Sequence, residues 1–247
     1  IFVVLMYNRK QLLYLKEQQL KESEHQNQLL QKELEKQKEL EKELLGKISL
    51  NFSSEKDLLS SSKLLCQTIC DYGRFDLVEL WMPNIENTSL QLITNNAAST
   101  DASTFLELTK EVRNFKPNEG LPGTVWSKKK TTLWEDINKN NDFVRKVAAE
   151  KTAIKNAAAF PLVYNNHIVG VLLIASQKEI NYLKKHIKLF EKLRHFIGSE
   201  INRKKLENDL GYLYNTIPDI VCLTDFQGRF LKINKAGCDL LGYTEDE

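Results

Sequence analysis

The period of the apolar positions changes along this chain, and each change marks an element. Residues 11–47 are dominated by Leu, Glu, Lys and Gln, with no proline and no glycine before Gly46. These are strong helix formers. Leu13, Leu20, Leu30, Leu34, Leu44 and Ile48 fall on one a/d seam, interrupted by Lys16, Ser23, Asn27, Gln37 and Glu41. A seam this polar predicts either a weak coiled coil, with Asn27 fixing register, or a solvated single helix. Ser54, Glu55 and Asp57 then suit a helix N-terminus, and Leu58, Leu59, Leu65, Cys66 and Ile69 recur at helical spacing up to Gly73.

Strand-like runs follow. Residues 75–82 read as a strand ended by Pro83-Asn84, with residues 90–94 as its hairpin partner. A Ser/Thr-rich loop is expected over 98–104 and a helix over 105–115. Gly120, Pro122 and Gly123 predict a turn leading into a short helix at 124–127 and a strand at 131–134. A polar loop at 136–142 precedes a helix over 143–151. Residues 157–164 and 167–175 are apolar and joined by Asn165-Asn166, which signals a hairpin. Residues 169–174 are apolar almost throughout, so both faces of that central strand pair should be covered.

Residues 181–213 form a second long helix, with Ile187, Phe190, Leu193, Ile197 and Ile201 as its apolar stripe. Arg203, Lys204, Lys205, Glu207 and Asp209 mark a wetter end. The stripe suits either a parallel homodimer contact or packing within one monomer. Strands at 220–224 and 229–233 follow, with Asp225 and Gly228 at their turn. The fold class expected is α+β: an antiparallel sheet with flanking helices, set between two long helices.

A length of 247 residues suits one or two domains. The formal charge of +2 implies no electrostatic attraction to nucleic acid. Four cysteines without a secretory signal fit a reducing compartment. Cys66 and Cys70 read as small apolar side chains on a buried helical face. Cys222 and Cys238 fall in separate elements. At the N-terminus, Ile1, Phe2, Val3, Val4, Leu5, Met6 and Tyr7 precede Asn8, Arg9 and Lys10. This run is too short to cross a bilayer by itself. It reads either as the last turns of a membrane span with the basic residues on the cytoplasmic side, or as an apolar helix start.

Several ordered motifs resemble a known family. Gly120, Leu121, Pro122, Gly123, Thr124, Val125 and Trp126 are followed by Asp142, Phe143, Val144 and Arg145 with Ala148 and Ala149. Ala159, Phe160, Pro161 and Leu162, and then Val169, Gly170, Val171 and Leu172, complete the set. Together they resemble a GAF domain, most narrowly those of bacterial sensor histidine kinases. Glu79, Leu80 and Trp81 followed by Pro83 are similar to that family's first strand. Further on, Asp225 and Gly228, Asn234 and Ala236, and Leu241, Gly242 and Tyr243 resemble the opening third of a PAS domain. A two-stranded hairpin alone is marginal, so this tail should be loosely ordered unless it leans on the preceding helix.

The resemblance implies five segments: a membrane-helix end at 1–8, a signalling helix at 9–47, a GAF domain at 48–180, a connecting helix at 181–213 and an incomplete PAS domain at 214–247. It also implies a small-molecule pocket lined by Trp81, Trp134, Phe143, Arg145, Ala149 and Phe160. Arg145 would meet an anion as a forked donor, or else be solvated or sit in a surface ion pair. The tryptophans would be core or ligand stackers.

The sequence carries no recognisable catalytic pattern. None of His25, His167, His186 and His195 sits in a phosphoacceptor-like pattern. Gly120 to Gly123 lacks the Lys-Ser/Thr of a phosphate loop. No Cys/His spacing suits zinc, no nucleophile–base pair stands out, and the cyclic-nucleotide and bilin signatures of GAF domains are missing. No cofactor is named by the sequence. The resemblance therefore implies the sensory region of a membrane-bound two-component histidine kinase, on the cytoplasmic side of the membrane. Its partners would be a second copy, downstream kinase domains, a response regulator and a small ligand. The alternatives are a dimerisation scaffold with a filled pocket, or the sensor region of a diguanylate cyclase or phosphodiesterase.

Overall fold

The computed structural model describes residues 2–140, 142–242 and 244, with side chains described at residues 16 and 18 and from residue 20 onward. The chain divides into two compact units, 1–46 and 47–247. In the first, every described residue belongs to helix α1 (Phe2–Ser54), and Leu20, Leu30 and Leu34 of the expected seam are exposed. The side chains of the apolar run at 1–8 and of Leu13 lie outside the described residues, as does Tyr243 of the terminal motif. No helix among the described residues is long and apolar enough to cross a membrane.

In the second unit, the end of α1 buries Ile48 and Phe52, and Asn51 Nδ2 donates to Thr68 Oγ1 at 2.8 Å. Asp57 caps α2 (Leu58–Gly73) by accepting from the Ser60 amide at 2.8 Å, satisfying one of the free amides of the first turn. The sheet then forms from β1 (Leu77–Pro83), β2 (Leu90–Ala97), β3 (Asn114–Phe115), β4 (Thr132–Trp134), β5 (Asn156–Tyr164) and β6 (His167–Ser176). All pairings are antiparallel, in the order β3-β2-β1-β6-β5-β4. Asn165 and Asn166 close the β5–β6 hairpin with φ of 46° and 64°, the left-handed angles that a two-residue turn matched to strand twist requires. The expected α+β class is the one the chain adopts.

Pairing sets the parity of the sheet. Leu77 faces Ala175, Glu79 faces Leu173 and Trp81 faces Val171 across β1–β6. These side chains point to one face, and Val78, Leu80, Leu172 and Ile174 point to the other. The second face is covered by α2 and α6 (Ile180–Thr216), with Phe75, Phe160 and Phe190 at its centre. Gly198 lets α6 approach β5 closely, since a Cβ there would lie 2.4 Å from the Val163 carbonyl oxygen. The first face is covered by α3 (Thr100–Leu108), α4 (Gly120–Lys128), a 3-10 turn at Ile137–Lys139 and α5 (Lys146–Glu150).

Several element boundaries differ from expectation, the helix expected over 143–151 among them, which is confined to Lys146–Glu150. Residues 98–104 were expected as loop, but Ser99 accepts from the Ala102 amide and starts α3 there. Ser103 and Thr104 donate their hydroxyls back to the carbonyls of Ser99 and Thr100, so their polarity is absorbed within the helix. The expected helix over 105–115 therefore ends at Leu108, and its last residues become β3. α4 begins at Gly120, earlier than expected: the Gly123 amide donates to the Glu119 carbonyl at 3.0 Å and closes the first turn, while Gly120, at φ +58°, packs its backbone on the Phe115 ring.

After α6 come β7 (Cys222–Thr224), β8 (Phe230–Ile233) and α7 (Lys235–Leu241). This tail leans on the end of α6 through one buried side chain. Asn234 Nδ2 donates to the carbonyls of Tyr214, Ile217 and Asp219, and its Oδ1 accepts from the amides of Val221 and Gly237.

Candidate functional site

Strand β1 carries an acid where its neighbours are apolar. Glu79 lies between Val78 and Leu80 in the middle of the sheet and is fully buried. Arg145, at the start of α5, reaches it from 66 positions away in sequence. The guanidinium donates to both carboxylate oxygens, at 2.5 Å and 2.9 Å, and the Trp81 indole N–H adds a third donor at 3.0 Å. The Arg145 Cζ stands 4.9 Å from the Phe105 ring centroid, 5.7 Å from Phe115 and 5.9 Å from Trp81. A forked ion pair enclosed by aromatic faces is how a buried charge pair offsets its lost hydration. The offset is incomplete, because Arg145 Nε is buried and has no hydrogen-bond partner.

Of the six side chains expected to line a pocket, five meet on this face. Trp81 and Ala149 are fully buried, and Phe143 stands between Phe105 and Trp134, with ring centroids 6.4 Å and 6.1 Å away. Trp134 is half-buried at the edge of the same cluster. Arg145 is present, but its fork is turned onto Glu79 and is neither solvated nor free for a ligand. Phe160 is the exception: it points to the other face, where its ring lies 5.3 Å from that of Phe190. Glu79, Phe105 and Phe115 escaped the sequence reading as site residues. The available signal was the acid itself, placed mid-strand among apolar residues.

Beside the pair lies an open cleft of about 310 Å³ between α3, β2 and the segment before β3. Arg145 and Glu79 form its inner wall, and Ser103, Glu107, Lys110 and Arg113 stand further out. Glu107 pairs with Lys110 at 2.7 Å, and both are exposed. Arg113 has no carboxylate partner among the described residues. The arrangement supplies donors and a modest excess of positive charge. Among the described residues no group of three or more His, Cys, Asp or Glu could hold a metal ion. Cys66 is inert: burial, then the charges of Glu79 and Cys70, push its thiol far above the usual range.

A GAF-domain family model matches residues 55–202, and a PAS-domain model matches residues 209–247. No curated protein matches the chain. Among solved structures, the chain is similar to the GAF domain of an Acinetobacter phosphoenolpyruvate-protein phosphotransferase, with 14% identity, a TM-score of 0.53, and 68% of this chain and 97% of that one covered. It is equally similar to free methionine-R-sulfoxide reductase of Neisseria meningitidis bound to its substrate, with 14% identity, a TM-score of 0.54, and 67% and 90% covered. The inactive-state GAF domain of A. aeolicus nlh2 gives 14% identity, a TM-score of 0.54, and 67% and 97% covered. At this identity the likeness concerns the fold alone. The chain belongs to the GAF domain family, with the beginning of a PAS domain after it, and its role is that of a signalling sensor.

Proposed function

We propose that this chain is the sensory and signal-transmitting region of a bacterial two-component histidine kinase, acting on downstream autophosphorylation through repacking of its helices. The observation that carries the reading is the sharing of α6 between two sensory modules. Its first half packs Phe190, Leu193, Ile197 and Ile201 on the GAF sheet, and its end holds the PAS strands through Asn234. A sheet movement and a PAS movement therefore bias the same helix, which is what coupling between two sites requires. A homodimer suits the same helix, since Leu206, Leu210 and Leu213 are exposed at a/d spacing. The cytoplasmic side of a membrane and a response regulator as downstream partner complete the proposal.

A second reading has its own support. Trp81, Phe105, Phe115 and the Glu79–Arg145 pair fill the inner face, as in a scaffold that only sets dimerisation. The test is phosphate transfer from ATP in the full-length gene product, with and without the double replacement Glu79→Leu/Arg145→Met. The sensor reading expects acid-labile protein phosphate formed at a rate that the replacement changes. An unchanged rate favours the scaffold. The absence of any such phosphate removes the kinase, leaving a cyclase or phosphodiesterase parent, which assays for cyclic-dinucleotide turnover would identify.

A further inference from the structure

β3 covers only the first part of the outer edge of β2. It pairs with Leu90 and Gln91, and the Leu92 amide donates to the Arg113 carbonyl at 3.0 Å. Past that point no strand among the described residues continues the sheet on this side. Ile93 is the extra residue of a bulge and has no counterpart on β1. Beyond it the direction of the backbone is set by Ala98, whose amide donates inward to the Asp76 carbonyl at 2.8 Å. Backbone groups alternate sides along a strand, so Asn95 and Ala97 turn their amides and carbonyls outward. Among the described residues no backbone group pairs with them there. Open backbone groups at a sheet edge are a template for one more strand.

This edge has room on both of its faces. A cleft of about 430 Å³ lies on the α2 side, walled by Lys63, Gln67, Thr94 and Asn96. The cleft of about 310 Å³ lies on the α3 side, where Leu106 and Val112 stand beside the Glu107–Lys110 pair. Leu92, Asn95 and Arg113 line both clefts, which therefore flank one strip of backbone. Side chains of an added strand would point to opposite faces in turn and enter the two clefts alternately. Charge decides what they are. The α2-side wall holds two cations, Lys63 and Arg113, and no acid. Lys63 feels the charge of Asp57 from a distance, and neither cation has a carboxylate within ion-pair reach among the described residues. We propose that β2 takes up an extended acidic peptide as an added strand. Acids at alternate positions face Lys63 and Arg113, and small apolar side chains between them face Leu106 and Val112. A second copy paired edge to edge about a two-fold would instead set these cations against their own counterparts, which opposes that pairing. The proposal goes beyond the sensory reading and holds whatever output the parent protein has.

Solvent exchange of individual amides, read by nitrogen-15 NMR on the 247-residue chain, tests the pairing directly. The probe is the capped peptide Thr-Glu-Val-Glu-Thr, with its lysine-for-glutamate counterpart and a backbone N-methylated form as controls. The amides of Asn95 and Ala97 should exchange quickly in the chain alone and slow as the glutamate peptide is added. Slowing by a factor of one plus peptide concentration over Kd reaches about tenfold at nine times Kd. The amides of Thr94 and Asn96, which face β1, should not change. Lys63→Gln and Arg113→Gln, both at exposed positions, should each raise Kd by about threefold, the scale of one exposed ion pair. The proposal is overturned if millimolar glutamate peptide leaves Asn95 and Ala97 unchanged, or if either control slows them as much. It is also overturned if these two amides are already slow in the chain alone and quicken on dilution, because a second copy then occupies the edge. None of these outcomes bears on phosphate transfer, so the kinase assay stands or fails separately.

Discussion

Glu79 and Arg145 each strand a charge if the other is removed. With both side chains almost fully buried, truncating one leaves an uncompensated ion, at a cost of about 3–5 kcal/mol. Replacing both by apolar residues of similar volume removes the charges and their dehydration together, so Glu79→Leu/Arg145→Met should unfold within about 1 kcal/mol of wild type. Denaturant unfolding followed by tryptophan fluorescence gives the double-mutant cycle, and additive single and double effects would dismiss the coupling. His186 makes a different prediction. It is half-buried against Phe75 and Tyr182, with ring centroids 5.0 Å and 5.2 Å away. Burial lowers its pKa, the Lys178 and Lys185 charges add to this, and its hydrogen bond with the Tyr182 carbonyl opposes it. The unfolded chain takes up the proton near pH 6.5, about the ordinary histidine value, and the folded chain only at lower pH. Stability is therefore complete above that value and declines as pH falls below it. The melting temperature of His186→Phe should decline less than that of wild type between neutral and mildly acidic pH, and parallel declines would count against the assignment.

At the scale of elements, glycines in one helix test what holds it to the sheet. Gly198 and Gly211 both lie inside α6. A Cβ at 198 would meet the Val163 carbonyl oxygen at 2.4 Å, whereas one at 211 has nothing within 4 Å. Gly198→Ala should cost about 1–3 kcal/mol by forcing helix and strand apart. Gly211→Ala should gain up to about 1 kcal/mol from helix propensity alone. Thermal or urea unfolding reads both, and a change of the same sign in the two would show that propensity, not contact, governs position 198. The same contrast explains what the sequence disclosed. The Asn165-Asn166 hairpin was legible because local backbone angles dictate its residues, whereas the Gly120 turn was legible only as a break, the helix starting there and not at 124. The direction of Phe160 was not legible. A strand buried on both faces shows no alternation, so only its register against β6 decides which residues look inward. The start of α3 was obscured because Ser and Thr suit loops and caps equally, and the choice is made by Phe105 entering the core. The Glu79–Arg145 contact joins residues that no local pattern relates.

For the molecule as a whole, the question is how tightly the PAS start follows α6. The hairpin β7–β8 exposes Leu223, Phe230 and Leu231, so hydrophobic burial does little to hold it. Polar contacts carry that duty. Asn234 binds three carbonyls at the end of α6 and in the turn after it, and Tyr214 Oη donates to the Val221 carbonyl at 3.1 Å. Lys232 Nζ also lies 5.1 Å from the centroid of the Tyr214 ring. Asn234→Ala removes the central partner; of the groups it strands only the Gly237 amide bond is fully buried and the others can be hydrated, so the total loss should be about 1–3 kcal/mol. Because the GAF sheet has its own core, this loss should appear as local opening. Hydrogen exchange of the amides in 220–241 should accelerate, with those of β5 and β6 unchanged. If the sheet amides accelerated in parallel, the tail would be part of one cooperative unit with the GAF domain. If neither region changed, the helix end would not hold the PAS strands through this residue, and the shared-helix route for signals would lose its physical basis.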